Sequence, residues 1–366
     1  MIREFTEEQD ELRQTVRRFL SDHSSETEVR RLMETESGYD PALWKQMGTQ
    51  LGLQGIAIPE EYGGQGFGWV ELGIVLEEMG RALLCAPFFS SAVLAATTLL
   101  ASGDEEAKRR HLPGIADGSM IATLAFPRPG APLEVRAERR DDGWRLSGAA
   151  PLVIDAHVAQ LILVTADTSE GRAVFAVDAG AAGVTVTARP TLDQTRKLAD
   201  IELSDVVATP VGDPADGEEL LSRVLDLAAV ALAAEQVGGA QAALDMGVEY
   251  MKVRVQFGQP IGTFQSLKHM AADALVEVET ARSAAYYALF AAADHSEELP
   301  IAAPLAAAYC ADAFVSTAHE NIQFHGGMGF TWEVPAHLYF KRARAGQLLL
   351  GEPDHHRAQV ADRLGF

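Results

Sequence analysis

The chain has 366 residues, enough to bury a full hydrophobic core and to form two or three domains. Its 30 basic and 52 acidic residues give a formal net charge of −22, a field that repels nucleic acid and anionic membranes, so we expect neither as a partner. The 2 cysteines are too few for a disulfide framework or a cysteine zinc site, and a charged N-terminus without the apolar core of a signal peptide predicts a cytoplasmic protein.

Residues 1–118 are predicted to be helical. Near the N-terminus, apolar residues recur at helical spacing: Leu12, Val16, Phe19 and Leu20. Thr6 and Gln9 are spaced as a capping box before this helix, and a second helical pattern covers residues 69–81. The Pro- and Gly-rich residues 58–66 lack the strand–loop–helix context of a phosphate-binding fingerprint. They therefore predict a tight connection between helices.

Residues 119–212 change to a period of two. Short segments rich in β-branched residues begin at Val135, Trp144, Leu161, Ala173 and Val184. Glycine and aspartate separate these segments, which predicts a mostly antiparallel sheet or barrel. The apolar run from Leu161 to Val164 is expected to be a strand buried on both faces.

Residues 213–366 are predicted to form a helical bundle. Long alanine-rich stripes cover residues 218–257, 265–293 and 299–324. Alanine at buried positions allows helices to approach closely, which favours a large self-associating bundle. We find no apolar run long and charge-free enough to cross a bilayer, since the apolar residues 224–234 are too few.

A phosphate-binding pattern lies at the end of the first bundle stripe. Helical spacing predicts that Tyr250, Arg254 and Phe257 share one helix face, and that Gly258 and Pro260 end the helix. An arginine fork suits phosphate oxygens, and a ring beside it suits adenine or ribose. The alternative is an amphipathic helix with a solvated arginine.

A second pattern, Gln323–Pro335, follows the third stripe. It places three glycines within four positions, which allows the backbone to come very close to another group. The alternative is an ordinary helix C-cap and turn.

These two patterns resemble signatures of the acyl-CoA dehydrogenase family, the first as an aromatic–x3–Arg–x–x–Phe–Gly–x–Pro–Ile–x–x–Phe–Gln run. Weaker matches extend the resemblance over nearly the whole chain: Phe5–Gln9, Ile58–Gly66, Glu77–Arg81 and Leu112–Gly118. The resemblance implies an α+β multidomain fold, with an all-α domain (1–118), an antiparallel β-barrel or sheet domain (119–212) and a C-terminal helical bundle (213–366).

The resemblance also implies FAD as cofactor and an acyl-CoA thioester as substrate. In the family, the two C-terminal motifs reach across a subunit boundary to the ADP half of a neighbour's FAD. Carried over to this sequence, Arg254 would contact the pyrophosphate and Phe257 would pack on the adenosine. The other residues of this predicted set would line the rest of the ADP half: Gln256, Gln265, Gln323, Gly326 and Gly327.

The half of the family's site that faces the flavin ring is altered in this sequence. A Thr-Glu-Pro–x–Ala-Gly-Ser-Asp turn aligns with residues 122–132, where Ala125 and Phe126 replace Thr and Glu and the Gly-Ser-Asp end is lost. A second family element aligns with Gly148–Asp155, and here Leu152 replaces a ring-stacking Trp and Ile154 replaces a Thr near the flavin N5. Because such groups tune a flavin, their loss argues against a working flavin in this chain's own pocket.

The catalytic base of the family is also missing. Desaturation needs a carboxylate that takes the α-proton as hydride leaves the β-carbon for the flavin N5. The usual Glu of a Tyr-Glu-Gly-Thr turn aligns with Leu350, and the alternative base aligns near Ala228. Glu352, two residues past the usual position, is the remaining candidate, although a carboxylate at a surface turn is the favoured interpretation. No catalytic residue is therefore assigned.

Other polar residues near these motifs receive no catalytic role. His325, His355 and His356 are expected to be loop or surface histidines, and adjacent loop histidines cannot build a tetrahedral metal site, so we expect no metal. Arg357 aligns with an arginine that the family keeps, and it is equally well interpreted as a solvated charge or a ligand contact.

Together these features predict the base-lacking chain of an α2β2 acyl-CoA dehydrogenase, a form that the family uses chiefly for bulky substrates such as steroid side-chain CoA esters. A sister chain would supply the flavin pocket and the base, and an electron-transfer flavoprotein would accept the electrons. Two alternatives remain at this point. One is a self-sufficient homo-oligomeric flavoenzyme, such as a homotetramer, that uses Glu352 or another carboxylate, and the other is a flavin-free scaffold subunit.

Overall fold

The computed structural model describes residues 5–129, 133–141 and 143–366. The chain divides into two compact units, each built from separate stretches of sequence. The first unit comprises Met1–Arg30, Trp69–Leu84 and Ala229–Phe366, and the second comprises Arg31–Gly68 and Cys85–Ala228. The predicted domain boundaries at 118 and 212 stay predictions.

Helices form most of residues 5–118, as the sequence predicts, and two of them cover the predicted apolar stripes. In chain order they are α1 (Glu7–His23), α2 (Glu26–Met33), α3 (Pro41–Thr49), α4 (Trp69–Arg81), α5 (Ala96–Ala101) and α6 (Glu105–Ala116). The predicted capping box before α1 is confirmed, because Gln9 N donates to Thr6 Oγ1 at 3.2 Å and Thr6 N donates to Gln9 Oε1 at 3.0 Å. A short π-helix, Phe89–Ala95, precedes α5.

The second unit contains a closed β-barrel. Its strands are β1 (Ala122–Ala125), β2 (Glu134–Arg140), β3 (Gly143–Ile154), β4 (Leu161–Thr168), β5 (Gly171–Asp178), β6 (Val184–Arg189) and β7 (Leu198–Pro210). The order β4-β2-β3-β7-β5 closes through a β4–β5 pairing, while β1 adds to β4 and β6 adds to β7. The five predicted strands are confirmed, β1 and β7 were not predicted, and Leu161–Val164 is buried as expected.

Long helices form the first unit. They are α7 (Gly217–Val253, whose first residues belong to the second unit), α8 (Gln265–Ala293), α9 (Leu299–His325), α10 (Ala336–Leu349) and α11 (Pro353–Leu364). A hairpin of β8 (Val255–Gln256) and β9 (Gln259–Pro260) joins α7 to α8. The three predicted bundle stripes are helices, except that α7 ends at Val253 and not at the predicted residue 257. Helix α9 buries many alanines as the stripe predicts.

Small residues bring the helices of the first unit into backbone contact. A Cβ on Gly238 of α7 would overlap the carbonyl oxygen of Glu77, and one on Gly80 of α4 would overlap that of Glu235. The two helices therefore cross with no room for a side chain at either glycine.

The expectation that no apolar run is long and charge-free enough to cross a bilayer is wrong, because one helix is long enough and apolar enough by these two criteria alone. Leu299–Phe330 meets both criteria, and 56% of its most apolar window is buried inside the structure. Within the first unit α9 packs against α8, α10 and α11. A helix that is apolar on several sides is also what a bundle core requires, so the hydropathy of α9 is weak evidence for a membrane span.

Candidate functional site

The phosphate-binding pattern lies on a β-hairpin and not on a helix face. Helix α7 ends at Val253, and Phe257 and Gly258 then form the turn between β8 and β9 with φ of 53° and 79°. Two successive positive φ values are typical of the tight turns that close two-residue hairpins, and glycine at the second position makes such a turn inexpensive.

The prediction that Tyr250, Arg254 and Phe257 share one helix face is therefore wrong. Tyr250 lies on α7, whereas Arg254 follows the helix and Phe257 is at the hairpin tip, 91% exposed. The physical reason is the turn: its positive φ values are incompatible with a helix, and β8–β9 pairing satisfies backbone groups that the helix would otherwise bond.

The glycine-rich pattern lies at the carboxyl end of α9. Gly326 ends the helix with φ 58° and ψ −137°, and its N–H bonds to Gln323 O, so the alternative interpretation as a helix cap also holds. A Cβ on Gly326 or Gly327 would meet no described atom within 4 Å, and both residues are exposed. This stretch of bare backbone is therefore open to a group from outside the described chain.

The two patterns meet because α7 and α9 run in the same direction. Helix α8 returns the chain between them, and α7 contacts α9 through Gly239 against Phe314 and Gly247 against Phe324. The carboxyl ends of α7 and α9 and the start of α8 consequently lie at one end of the first unit.

The predicted ADP-half residues are all exposed at this end of the unit: Arg254, Gln256, Phe257, Gln265, Gln323, Gly326 and Gly327. No residue of the described ranges forms an ion pair with Arg254, so its guanidinium is available to an anion. The Phe257 ring lies edge-on to Phe264, with centroids 6.0 Å apart, beside Gln265. Their contact with FAD remains a prediction.

Tyr250 and His325 connect the two patterns, a contact that sequence reasoning missed. Their rings stack with centroids 4.1 Å apart and planes 24° apart. His325 Nδ1 lies 2.8 Å from Asn321 O, and the side chain is 6% exposed. The expectation that His325 is a loop or surface histidine is therefore wrong, because the parallel helices enclose its ring.

Comparison with known proteins identifies the family. The model for the acyl-CoA dehydrogenase N-terminal domain matches residues 6–119, and the model for the acyl-CoA dehydrogenase C-terminal domain matches residues 215–365. The chain belongs to the acyl-CoA dehydrogenase family. This confirms the predicted oxidoreductase family, its α+β fold and FAD as the cofactor.

Individual acyl-CoA dehydrogenase relatives match over almost the full length. Acyl-CoA dehydrogenase IpdE2 of Mycolicibacterium smegmatis is 35% identical over 348 residues, which are 95% of this chain and 96% of the relative. A chain of the Tcur3481–Tcur3483 steroid ACAD shares 33% identity and a TM-score of 0.90 over 98% of each chain. A chain of the ChsE4–ChsE5 complex from Mycobacterium tuberculosis shares 30% identity and a TM-score of 0.92 over 100% of this chain and 99% of that one.

In the second unit, the two segments that align with the flavin-ring elements of acyl-CoA dehydrogenases are neighbours. Thr123 Oγ1 donates to Ile154 O at 2.6 Å, and Arg128 Nη2 donates to Leu152 O. Leu152 lies at an irregularity of β3 with φ 56°, and its N–H donates to Asp200 Oδ1 at 2.9 Å. Residues 130–132 of the predicted turn lie outside the described residues.

The flavin-ring half of an acyl-CoA dehydrogenase site is not matched by the side chains present. Ala125 and Ile154 are buried and offer no hydroxyl, and Phe126 is 9% exposed. The Arg128 guanidinium lies 5.9 Å from the Phe126 ring centroid, so these two side chains contact each other within the segment aligned with the family's first flavin-ring element. By their chemistry, the predicted ADP-half residues suit FAD, whereas the positions aligned with the flavin-ring elements lack the hydroxyl donors of the family's motif.

The aligned base positions hold no carboxylate. Leu350 is 8% exposed at the end of α10, and Ala228 is buried on α7. Glu352 precedes α11 as its N-cap residue and is exposed. A carboxylate in water at a helix start is an ordinary stabilising feature, so its position agrees with the favoured interpretation of a surface turn.

His355 and His356 also differ from expectation, because both lie on α11 and not in a loop. His356 is 6% exposed, and burial lowers its pKa to about 4. It is therefore neutral near pH 7. Within the described ranges, no group of three or more His, Cys, Asp or Glu side chains is arranged to hold a metal ion.

Arg357 pairs with Asp354 at 2.7 Å and with Asp312, which favours its interpretation as a surface charge.

A buried ionic cluster in the first unit was also missed. Glu77 accepts from Arg13 Nη1 at 2.6 Å, from the Tyr286 hydroxyl at 2.8 Å, and from Arg282. Glu78 accepts a two-pronged contact from Arg17, with both distances 2.8 Å. The sequence signal for this cluster is the pair of adjacent glutamates inside the apolar stripe of α4. Charged side chains are rarely buried unless they are paired, so buried glutamates there require cationic partners.

Proposed function

We propose that this chain is the partner subunit of a heteromeric acyl-CoA dehydrogenase that desaturates an acyl-CoA thioester at Cα–Cβ. In this assembly it closes the ADP half of an FAD held by a sister chain. The sister chain supplies the flavin-ring pocket and the catalytic carboxylate. Bound FAD supplies the hydride acceptor, while this chain's residues bind and orient the ADP end.

The observation that carries the proposal is the asymmetry between the two halves of the site. The ADP-half residues are exposed at one end of the first unit, with the Arg254 guanidinium available to a pyrophosphate. Both aligned base positions are apolar and buried, at Leu350 and Ala228. A carboxylate must lie within hydrogen-bond reach of the proton it abstracts, and a leucine cannot replace it.

Two relatives support a heteromer and a bulky substrate. One structural neighbour is a complex of two named chains, ChsE4 and ChsE5, and another is described as a steroid ACAD of Tcur3481 and Tcur3483. By analogy with them we assign a pseudo-symmetric α2β2 tetramer and a bulky, steroid-like acyl group to this chain, and an electron-transfer flavoprotein as electron acceptor.

The assembly is tested by purifying the chain alone and after co-expression with acyl-CoA dehydrogenase chains that retain the Tyr-Glu-Gly-Thr turn. Alone, the chain is expected to be colourless and inactive. With its sister chain it is expected to form a yellow, active complex that holds about one FAD per two chains, because only half of the flavin pockets are complete. Absorbance at the flavin band and native mass measurement give the stoichiometry.

Two outcomes contradict the proposal. A yellow, active homo-oligomer with one FAD per chain indicates a self-sufficient flavoenzyme, and Glu352→Gln then tests the remaining carboxylate. If the complexes that this chain forms with all such sister chains are stable but colourless, the chain is a flavin-free scaffold.

Arg254→Ala is expected to weaken FAD retention in the complex by about 1.5–3 kcal/mol, the loss of one charge-assisted hydrogen bond. This corresponds to about a tenfold to hundredfold rise in the dissociation constant, measured by fluorescence of released FAD. Lys252→Ala is the matched control, since Lys252 is a neighbouring exposed cation already paired with Glu249 at 2.6 Å. Equal FAD retention by the wild-type and Arg254→Ala complexes would contradict the assigned role.

A further inference from the structure

We propose that the stacked rings of Tyr250 and His325 are positioning residues that set the spacing between the two parts of the ADP-binding end. This inference rests on the proposed function. Neither ring is required to touch FAD. Their role is to hold the Arg254 hairpin and the Gly326–Gly327 backbone at a fixed separation.

The stack joins the last turn of α7 to the last residue of α9. Tyr250 lies one turn before Arg254, whose N–H donates to Tyr250 O at 2.9 Å. His325 is the last residue of α9 and directly precedes Gly326. A displacement of either ring therefore moves an adjacent part of the predicted site.

The orientation of the His325 ring is fixed by its own helix. Nδ1 lies 2.8 Å from the carbonyl oxygen of Asn321, and because a carbonyl only accepts, Nδ1 carries the proton. Asn321 in turn donates from Nδ2 to Met246 Sδ of α7 at 3.4 Å. The ring plane that faces Tyr250 is thus held by a bond within α9 and by packing against α7.

The hairpin has other anchors, but they run towards α8. Ile261 N donates to Arg254 O at 2.8 Å, and the Phe257 ring meets Phe264 just before α8 begins. Among the ring contacts of the described residues, the Tyr250–His325 stack is the one that links this region to the end of α9. Without it, the hairpin would keep its shape while its distance from Gly326 became less defined.

The geometry predicts a ring-dependent effect on FAD binding. A stacked aromatic pair contributes a modest free energy, so Tyr250→Ala is expected to raise the FAD dissociation constant of the complex by about three- to tenfold. Tyr250→Phe keeps the ring and is expected to stay within about twofold of wild type, since the stack and not the hydroxyl carries the effect. Tyr309→Ala, which removes a 39% exposed tyrosine from α9, is the control.

The measurements are FAD dissociation by fluorescence and thermal unfolding of the chain without flavin. If Tyr250→Ala does not fold, Tyr250→Leu replaces it, because leucine fills the space without offering a ring face. Loss of FAD affinity in the Ala or Leu variant with rescue by Phe supports the inference. FAD retention within twofold of wild type in the Ala or Leu variant overturns it, as does an equal loss in the Phe variant.

The companion variant separates the two proposals. If Arg254→Ala weakens FAD retention and Tyr250→Ala does not, the positioning inference is wrong and the proposed function stands. If neither variant changes FAD retention, the proposed function itself fails.

Discussion

Replacing Glu77 with alanine is expected to lower the free energy of unfolding by about 3–5 kcal/mol, because it removes the buried carboxylate on which two largely buried arginines converge. The Glu77 side chain is 6% exposed and contacts Arg13, Arg282 and Tyr286, while the two arginines are 16% and 19% exposed. Burial, together with the charge of Glu77, raises the pKa of Tyr286 to about 12. Equilibrium urea unfolding followed by circular dichroism measures the change.

The structure offers a matched control on the same arginine. Glu279 also contacts Arg282, at 3.3 Å, but its side chain is 56% exposed. Water screens such a pair, so Glu279→Ala is expected to change the free energy of unfolding by no more than about 0.5 kcal/mol. A loss below 1 kcal/mol for Glu77→Ala would show that the cluster relaxes or admits water when its central acid is removed.

This cluster matters to the site because it fixes α7 within the first unit. Arg282 of α8 contacts Glu77 of α4 and donates to Gln241 of α7 at 2.6 Å, and Arg13 brings α1 to the same acid. The end of α7 carries Arg254, so Glu77→Ala is also expected to loosen the ADP-binding end.

Gly238→Ala is the second change with a large expected effect. A Cβ at this position would overlap the carbonyl oxygen of Glu77, and the backbone of α4 cannot move aside as a side chain can. Overpacking of a tight core costs about 1–3 kcal/mol, and a backbone clash belongs at or above the upper end of that range. We therefore expect a loss of about 3 kcal/mol or more, measured as the denaturation midpoint at constant m value.

Gly346→Ala provides the comparison. Gly346 is also buried in a helix of the first unit, but a Cβ there would meet only Gln236, whose Nε2 is 3.2 Å away at the end of a flexible side chain. Alanine is favoured over glycine inside a helix by about 1 kcal/mol, so the net change is expected to be close to zero. Similar stabilities for the two variants would mean that the α4–α7 crossing is less tight than the structure shows.

Much of the fold could be predicted because its elements have simple periodicities. The apolar spacing of residues 69–81 indicated α4, and the alternation after Val135 indicated β2. Strands β1 and β7 were missed for opposite reasons. The four-residue β1 is too short to show a period, whereas β7 alternates with charged residues and contains Asp200 and Asp205.

The candidate site was predicted in its composition but not in its shape. The predicted ADP-half residues follow from the types and order of residues in the two motifs, and the exposure of these seven residues agrees with a surface that serves another group. The face assigned to Arg254 was wrong, since periodicity cannot reveal that Phe257 takes a positive φ. That conformation costs an ordinary residue free energy, and only the paired strands on either side compensate for it.

The sequence by itself determined the family, the succession of helical and strand regions, and the replacement of the usual base by Leu350, because each depends on residue identity at a given position. The tertiary structure alone decided which residues meet. It placed Tyr250 against His325 and gathered Arg13, Arg282 and Tyr286 around Glu77. Such contacts join residues far apart in the chain, and their partners are set by helix direction and by glycine-sized gaps between helices, which no local pattern records.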